Sequence, residues 1–208
     1  ADRYGVPRLA FVNKMDRIGA DFFAAIKMME ERLNCHPVPI QYPIGSEDKF
    51  VGMVDLVDMK ARIWEKEDQT GKTWQDIDIP EDIKDDVEKY REQMLESLSE
   101  YCDSFAEKYL EGHEFSPEEL KQEIRKATLA VQITPVLCGS AFKNKGIQML
   151  LDAVLDYMPA PIDVLSIRGE DAQSGEEVAR HPSDDEPFSA LAFKVMRDPR
   201  GVDKLTYI

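Results

Sequence analysis

The stretch that most constrains this chain is an apolar run, Leu9-Ala10-Phe11-Val12, that ends abruptly in Asn13-Lys14-Met15-Asp16. A short run without polar alternation reads as a strand buried on both faces, the pattern of parallel sheets. After Arg17-Ile18-Gly19-Ala20-Asp21, apolar residues recur at Phe22, Ile26, Met29 and Leu33 with helical spacing. Strand, loop and helix in this order predict an α/β fold. They place the Asn-Lys-x-Asp tetrapeptide at the carboxyl end of a central strand, the edge where open α/β sheets bind ligands.

The residue types at that edge fit a guanine ring. Guanine presents N1-H and the exocyclic N2 amino group as two parallel donors, and the ionised carboxylate of Asp16 offers two acceptors in matching geometry. Adenine has an acceptor at N1 and no 2-amino group. A site built around a polar group rejects the analogue that leaves that group unpaired. The Asn13 amide can serve the N7 edge of the ring or tie neighbouring loops together. The methylene stem of Lys14 can lie along the base face with its ammonium in water.

A second short apolar run, Val136-Leu137-Cys138, leads into Gly139-Ser140-Ala141-Phe142-Lys143. A strand ending in Ser140-Ala141 can turn backbone N-H groups toward the guanine O6 from the opposite side. The two loops together make a base clamp.

With both stretches in view, the chain resembles the translational GTPases, and within them the elongation factor G family. The resemblance rests on Phe11-Val12-Asn13-Lys14-Met15-Asp16-Arg17 with Gly19-Ala20-Asp21-Phe22, and on Cys138-Gly139-Ser140-Ala141-Phe142-Lys143-Asn144-Lys145-Gly146. Pro187 to Lys194 is similar to the start of that family's second domain. The resemblance implies that Asn13, Lys14, Asp16, Ser140, Ala141 and Phe142 bind GTP or GDP. It implies magnesium in the intact parent, whose ligands this chain lacks. It also implies a cytoplasmic factor that hydrolyses GTP on the ribosome to move tRNA and mRNA, with the ribosomal stalk protein as a partner.

Composition limits the other classes. The apolar fraction of 43% is ordinary for a globular protein. No run approaches the length that spans a bilayer, so no membrane role is expected. Cys35, Cys102 and Cys138 match no metal spacing and read as free thiols. The three histidines have no ligand-like spacing either. The net charge of −15 argues against independent binding to nucleic acid. Residues 65–126 hold 20 Asp and Glu against 9 Lys and Arg, so the acidity is concentrated in one segment.

That segment lies between the two clamp loops, a separation of about 120 residues that is too long for a bare connection. It reads as an inserted α+β subdomain. Pro37 and Pro39 mark an edge strand or an extended connection. Short strands are predicted in Phe50–Val54 and Lys60–Trp64. Ile83, Val87, Tyr90, Met94, Leu98, Tyr101, Phe105 and Tyr109 predict one long amphipathic helix. Ser116-Pro117-Glu118-Glu119 is a capping box that starts another, through Leu120, Ile124 and Val131. Gly71-Lys72-Thr73 ends like a phosphate loop, but the glycine required five positions earlier is Lys66. Acidic residues precede it, and it reads as a hairpin tip.

Ile147, Leu150, Leu151, Val154, Leu155 and Met158 predict a further helix, stopped by Pro159-Ala160-Pro161. Residues 169–186 read as a polar connection, Phe188–Val195 as a strand and Leu205–Ile208 as the start of another. Asp198-Pro199-Arg200-Gly201 reads as a turn. The expected organisation is a P-loop GTPase-type α/β sheet from 1–36 and 134–160, the insertion at 37–133, a linker at 161–186, and the first strands of a β-barrel domain at 187–208. No phosphate loop of the Gly-x-x-x-x-Gly-Lys-Ser/Thr form occurs. The chain therefore reads as a fragment whose parent is a GTPase and which is itself inactive. Two alternatives stand: a non-enzymatic acidic protein-binding module, and a ribosome-recycling or organellar paralogue.

Overall fold

The computed structural model describes residues 2–64, 70–163, 166–171, 173–197, 201 and 204–208. The chain divides into two compact units, 1–158 and 159–208. In the first, strand β1 (Ala10–Val12) and helix α1 (Phe22–Leu33) follow the expected order. Asp21 caps α1, its carboxylate accepting from the Ala24 N-H at 2.9 Å. Strand β2 (Pro37–Pro39) and the later strand β7 (Thr134–Cys138) complete a three-stranded parallel sheet in the order β1-β7-β2. Val12 stands opposite Cys138. Both clamp loops therefore leave neighbouring strands at the same sheet edge.

The buried centre of this sheet is β7, whose five residues are all buried. β1 is half-buried and pairs with β7 among the described residues. β2 lies at the other edge, where its two prolines cost no ladder bonds. The sheet thus runs through Pro39, past residue 37 where the insertion was expected to begin.

The residues between β2 and β7 form an antiparallel sheet of β3 (Gln41–Ile44), β4 (Gly52–Asp55), β5 (Lys60–Ile63) and β6 (Gln75–Ile77). Three helices follow, α2 (Lys84–Ser99), α3 (Asp103–Leu110) and α4 (Pro117–Leu129). The single long helix read from periodicity is thus two. Ser99 Oγ donates to the Glu96 carbonyl at 2.7 Å in the last turn of α2, and the Tyr101 hydroxyl bonds His36 Nδ1 at 2.7 Å. The chain turns at residues 100–102, where Cys102 is extended and precedes α3. The apolar stripe survives because α3 packs back on α2. The capping box of α4 is present, with Ser116 Oγ accepting from the Glu119 N-H at 3.2 Å. Val131 lies beyond α4 in a left-handed conformation.

The segment between β2 and β7 is not an independent globule. One continuous core joins its Leu56, Val87, Met94, Leu120 and Ile124 to Leu137 of β7 and to Ala153 and Tyr157 of α5 (Ile147–Tyr157). Helix α5 buries Met149, Ala153 and Tyr157, while Leu151 and Leu155 are exposed. Its apolar residues surround the helix, so spacing alone did not identify the buried face.

In the second unit, β8 (Ile167–Glu170) and β9 (Glu177–Arg180) form a hairpin within the segment expected to be a bare linker. An Asx turn at Asp171, whose Oδ1 accepts from the N-H groups of Gln173 and Ser174, supports it. β10 (Lys194–Arg197) pairs antiparallel with β11 (Lys204–Tyr207). The expected strand at Phe188–Val195 thus starts later, at Lys194. The predicted turn at Asp198–Gly201 falls mostly outside the described residues. No helix among the described residues is long and apolar enough to cross a membrane.

Candidate guanine-base site

Backbone bonds bring the two loops together at the ends of β1 and β7. The Gly139 N-H donates to the Val12 carbonyl at 3.0 Å, and the Met15 N-H donates to the Gly139 carbonyl at 3.0 Å. Gly139 is needed for this approach, because a Cβ there would stand 2.4 Å from the Lys145 carbonyl oxygen and 2.6 Å from Phe11 Cζ. Met15, the variable residue of Asn-Lys-x-Asp, is 1% exposed and belongs to a core with Phe22, Phe50, Met53, Trp64 and Val136. The loop is thus pinned from below by the Met15 side chain.

Asn13 resolves one choice left open by its sequence. Its Oδ1 accepts from the Ala141 N-H at 2.9 Å and from the Lys14 N-H at 2.7 Å. The amide ties the loops together, and its Nδ2 is what remains for a ligand. Lys14 is exposed, with φ of 64°. Phe142 is 90% exposed.

Asp16 is the electrostatic centre. Its carboxylate is 8% exposed. Ser140, itself buried, donates its hydroxyl to Asp16 Oδ1 at 2.7 Å, and Lys143 Nζ lies 3.2 Å from Oδ2. Burial pushes the Asp16 carboxyl up, but the hydrogen bonds from Ser140, Lys143 and its own backbone outweigh this. With the Lys143 charge, they hold it below the ordinary aspartate range. The carboxylate has about four lone-pair sites, so these three donors do not exhaust it.

The backbone donors differ from the sequence expectation. The Ser140 N-H is taken by the Lys145 carbonyl and the Ala141 N-H by Asn13. The N-H groups of Lys143 and Asn144 bond back to Ser140 and Ala141. From Ser140 to Asn144, the Phe142 N-H alone has no acceptor among the described residues. Two contributors escaped the sequence reading. Lys143 stood in the second motif with no assigned partner, and nothing in the sequence marks Glu47, whose carboxylate reaches this loop from the insertion at Gly19.

The Gly71 segment is not a phosphate cradle. Its carbonyl accepts from Trp64 Nε1 at 3.1 Å and Gln148 Nε2 at 3.3 Å, and Asn144 Nδ2 donates to the Thr70 carbonyl at 3.1 Å. Its carbonyls thus face protein donors, and the segment braces the second clamp loop. A separate cavity of about 220 Å³ lies between the inserted sheet and α5, lined in part by Asp55, Asp58, Arg62 and Lys121. Arg62 there pairs with Asp55 at 2.6 Å and also with Asp58 and Asp76. That network sets one guanidinium against three carboxylates and is separate from the base clamp.

The Elongation factor Tu GTP binding domain model matches residues 1–160. The chain belongs to this family of translational GTPases. A crystal structure of a protein from Thermus thermophilus superposes on this GTPase-family chain with a TM-score of 0.67 at 28% identity. The match covers 86% of this chain and 27% of that one, so this chain spans little more than a quarter of that relative's length. Members of this family bind guanine nucleotides, and the fold is of the translational GTPase α/β type. Magnesium accompanies the nucleotide in such GTPases. Among the described residues no three or more His, Cys, Asp or Glu side chains are grouped as a metal site.

Proposed function

We propose that this chain reads the guanine base for a ribosomal GTPase of the elongation factor G type. Asp16 pairs with N1-H and the 2-amino group. Asn13 Nδ2 serves the N7 edge, and the Phe142 N-H is the backbone donor offered to O6. Lys14 and the Phe142 ring lie along the faces of the base. The observation that carries this reading is the pairing of Asp16 with Ser140 and Lys143 across the two loops, which presents an ionised carboxylate at the sheet edge. The long acidic insertion between the loops and the Ser-Ala-Phe-Lys-Asn-Lys-Gly form of the second loop favour elongation factor G, and with it movement of tRNA and mRNA in the cytoplasm.

The chain by itself does not hydrolyse GTP. Phosphoryl transfer depends on held phosphate oxygens and an oriented water, and the sequence contains no phosphate loop. The insertion supplies a second function. Asp85, Glu88, Glu92, Glu96 and Glu100 are all exposed on or beside α2, opposite the buried Val87, Met94 and Leu98. This face suits a basic, helical partner such as the ribosomal stalk protein.

NMR titration of the chain with guanosine, GDP and adenosine tests the base reading. Guanosine shifts the amides around Asp16 and Phe142 at millimolar concentration, GDP binds within about tenfold of guanosine, and adenosine binds more weakly than either. Equal binding of adenosine contradicts the base reading. Submicromolar GDP binding contradicts the lack of phosphate contacts.

A further inference from the structure

We infer that Glu47, in the insertion, is a positioning residue for guanine recognition, and that the inserted sheet sets the spacing of both clamp loops. This rests on the base-clamp function proposed above. Glu47 opens the short turn Glu47–Lys49 that follows β3. It grips the Asp16 loop on both sides of the carboxylate. Its N-H donates to the Met15 carbonyl at 2.8 Å, and its Oε1 accepts from the Gly19 N-H at 2.7 Å. Between those points the loop folds as two successive turns, with the Arg17 N-H on the Lys14 carbonyl and the Ala20 N-H on the Arg17 carbonyl, each at 3.0 Å.

Two features separate this contact from ordinary packing. Gly19 is exposed, so its N-H could be satisfied by water and the bond answers no desolvation penalty. What the bond supplies is a fixed loop. Glu47 also holds a positive φ of 57°, a conformation costly for a residue with a Cβ. The left-handed backbone aims N-H and carboxylate at the same loop.

The second clamp loop is held from the same sheet. The connection between β5 and β6 passes through Gly71, which is buried and has φ of +61°. A Cβ at Gly71 would stand 2.2 Å from the Lys143 carbonyl oxygen, so the connection lies directly against the residue that pairs with Asp16. Asn144 bonds the adjoining Thr70 carbonyl. One rigid antiparallel sheet thus touches the Asp16 loop after β3 and the Lys143 loop after β5. Holding recognition groups within a fraction of an ångström requires such support from packed neighbours.

The test compares Glu47→Ala, Glu47→Gln and Asp16→Asn in the 208-residue chain, by NMR titration with guanosine, amide exchange at Gly19 and thermal melting. Glu47→Ala is expected to weaken guanosine binding about three- to tenfold and to speed exchange at Gly19. Its melting temperature stays near that of the wild type. Glu47→Gln, which keeps an acceptor oxygen, is expected to recover most of the binding. Wild-type binding in Glu47→Ala, alongside loss in Asp16→Asn, overturns the role of Glu47 and leaves the base reading standing. A joint fall in binding and melting temperature that Glu47→Gln does not restore makes Glu47 a structural contact and also overturns it. Unchanged guanosine binding in Asp16→Asn overturns the base reading itself.

Discussion

The Ser140 hydroxyl donates to Asp16 Oδ1 at 2.7 Å across 124 residues of sequence. This bond joins the ends of β1 and β7 through side chains, beside the backbone bonds at Gly139. Because it favours the charged carboxylate, Ser140→Ala should raise the Asp16 pKa toward the ordinary range. The depressed folded value means that the stabilisation from Asp16 is complete above its unfolded value of about 3.9 and is lost as pH falls through the folded value. In Ser140→Ala the contribution is smaller, and its loss is complete at a higher pH. Carboxyl-carbon NMR titration of Asp16 in both proteins checks this, and an unchanged Asp16 pKa in the variant contradicts it.

The Gly71 segment separates a packing role from a phosphate role. Gly71→Ala places a Cβ against the Lys143 carbonyl at a left-handed position and should destabilise the protein by about 1–3 kcal/mol. Lys72→Ala, which would disable a phosphate loop, alters an exposed side chain and should change neither stability nor GDP binding beyond about 0.5 kcal/mol. Urea unfolding and GDP titration of the two variants measure both.

The acidic face of α2 yields a prediction of rate. Exposed charges steer partners and are screened beyond about 8 Å at physiological salt. Replacing Glu88, Glu92 and Glu96 with lysine should leave the fold intact, because none is buried. It should abolish most of the salt-dependent association with a basic helical stalk domain. The readout is the shift of the labelled stalk domain at low and high salt. Equal shifts with the lysine variant make this face solvated surface only.

Much of the site was legible because its residues are local in sequence. Asn13, Lys14 and Asp16 follow an apolar run, and Ser140, Ala141 and Phe142 follow another. Parallel pairing of those runs puts the loops side by side. Partner choice was not legible. That Asn13 takes the Ala141 N-H, leaving the Phe142 N-H, depends on tertiary approach through Gly139. Lys143 and Glu47 act through contacts that no spacing encodes. In the fold, periodicity identified the buried stripe from Val87 to Phe105 but not the break at residues 100–102, where no Gly or Pro marks the turn. The hairpin of β8 and β9 was missed because both strands are polar and largely exposed.

The central claim is that Asp16 reads the base, and exchanging its chemistry tests it most directly. Asp16→Asn replaces an acceptor pair with an acceptor and a donor. Guanosine, with donors at N1 and N2, should then lose about 1–3 kcal/mol of binding. Xanthosine, with a carbonyl at position 2, should gain relative to it. The measurement is the ratio of guanosine to xanthosine dissociation constants in the wild-type and Asp16→Asn chains, by NMR titration. The account predicts that the preference for guanosine falls at least about tenfold or reverses. A variant that keeps the wild-type preference contradicts it.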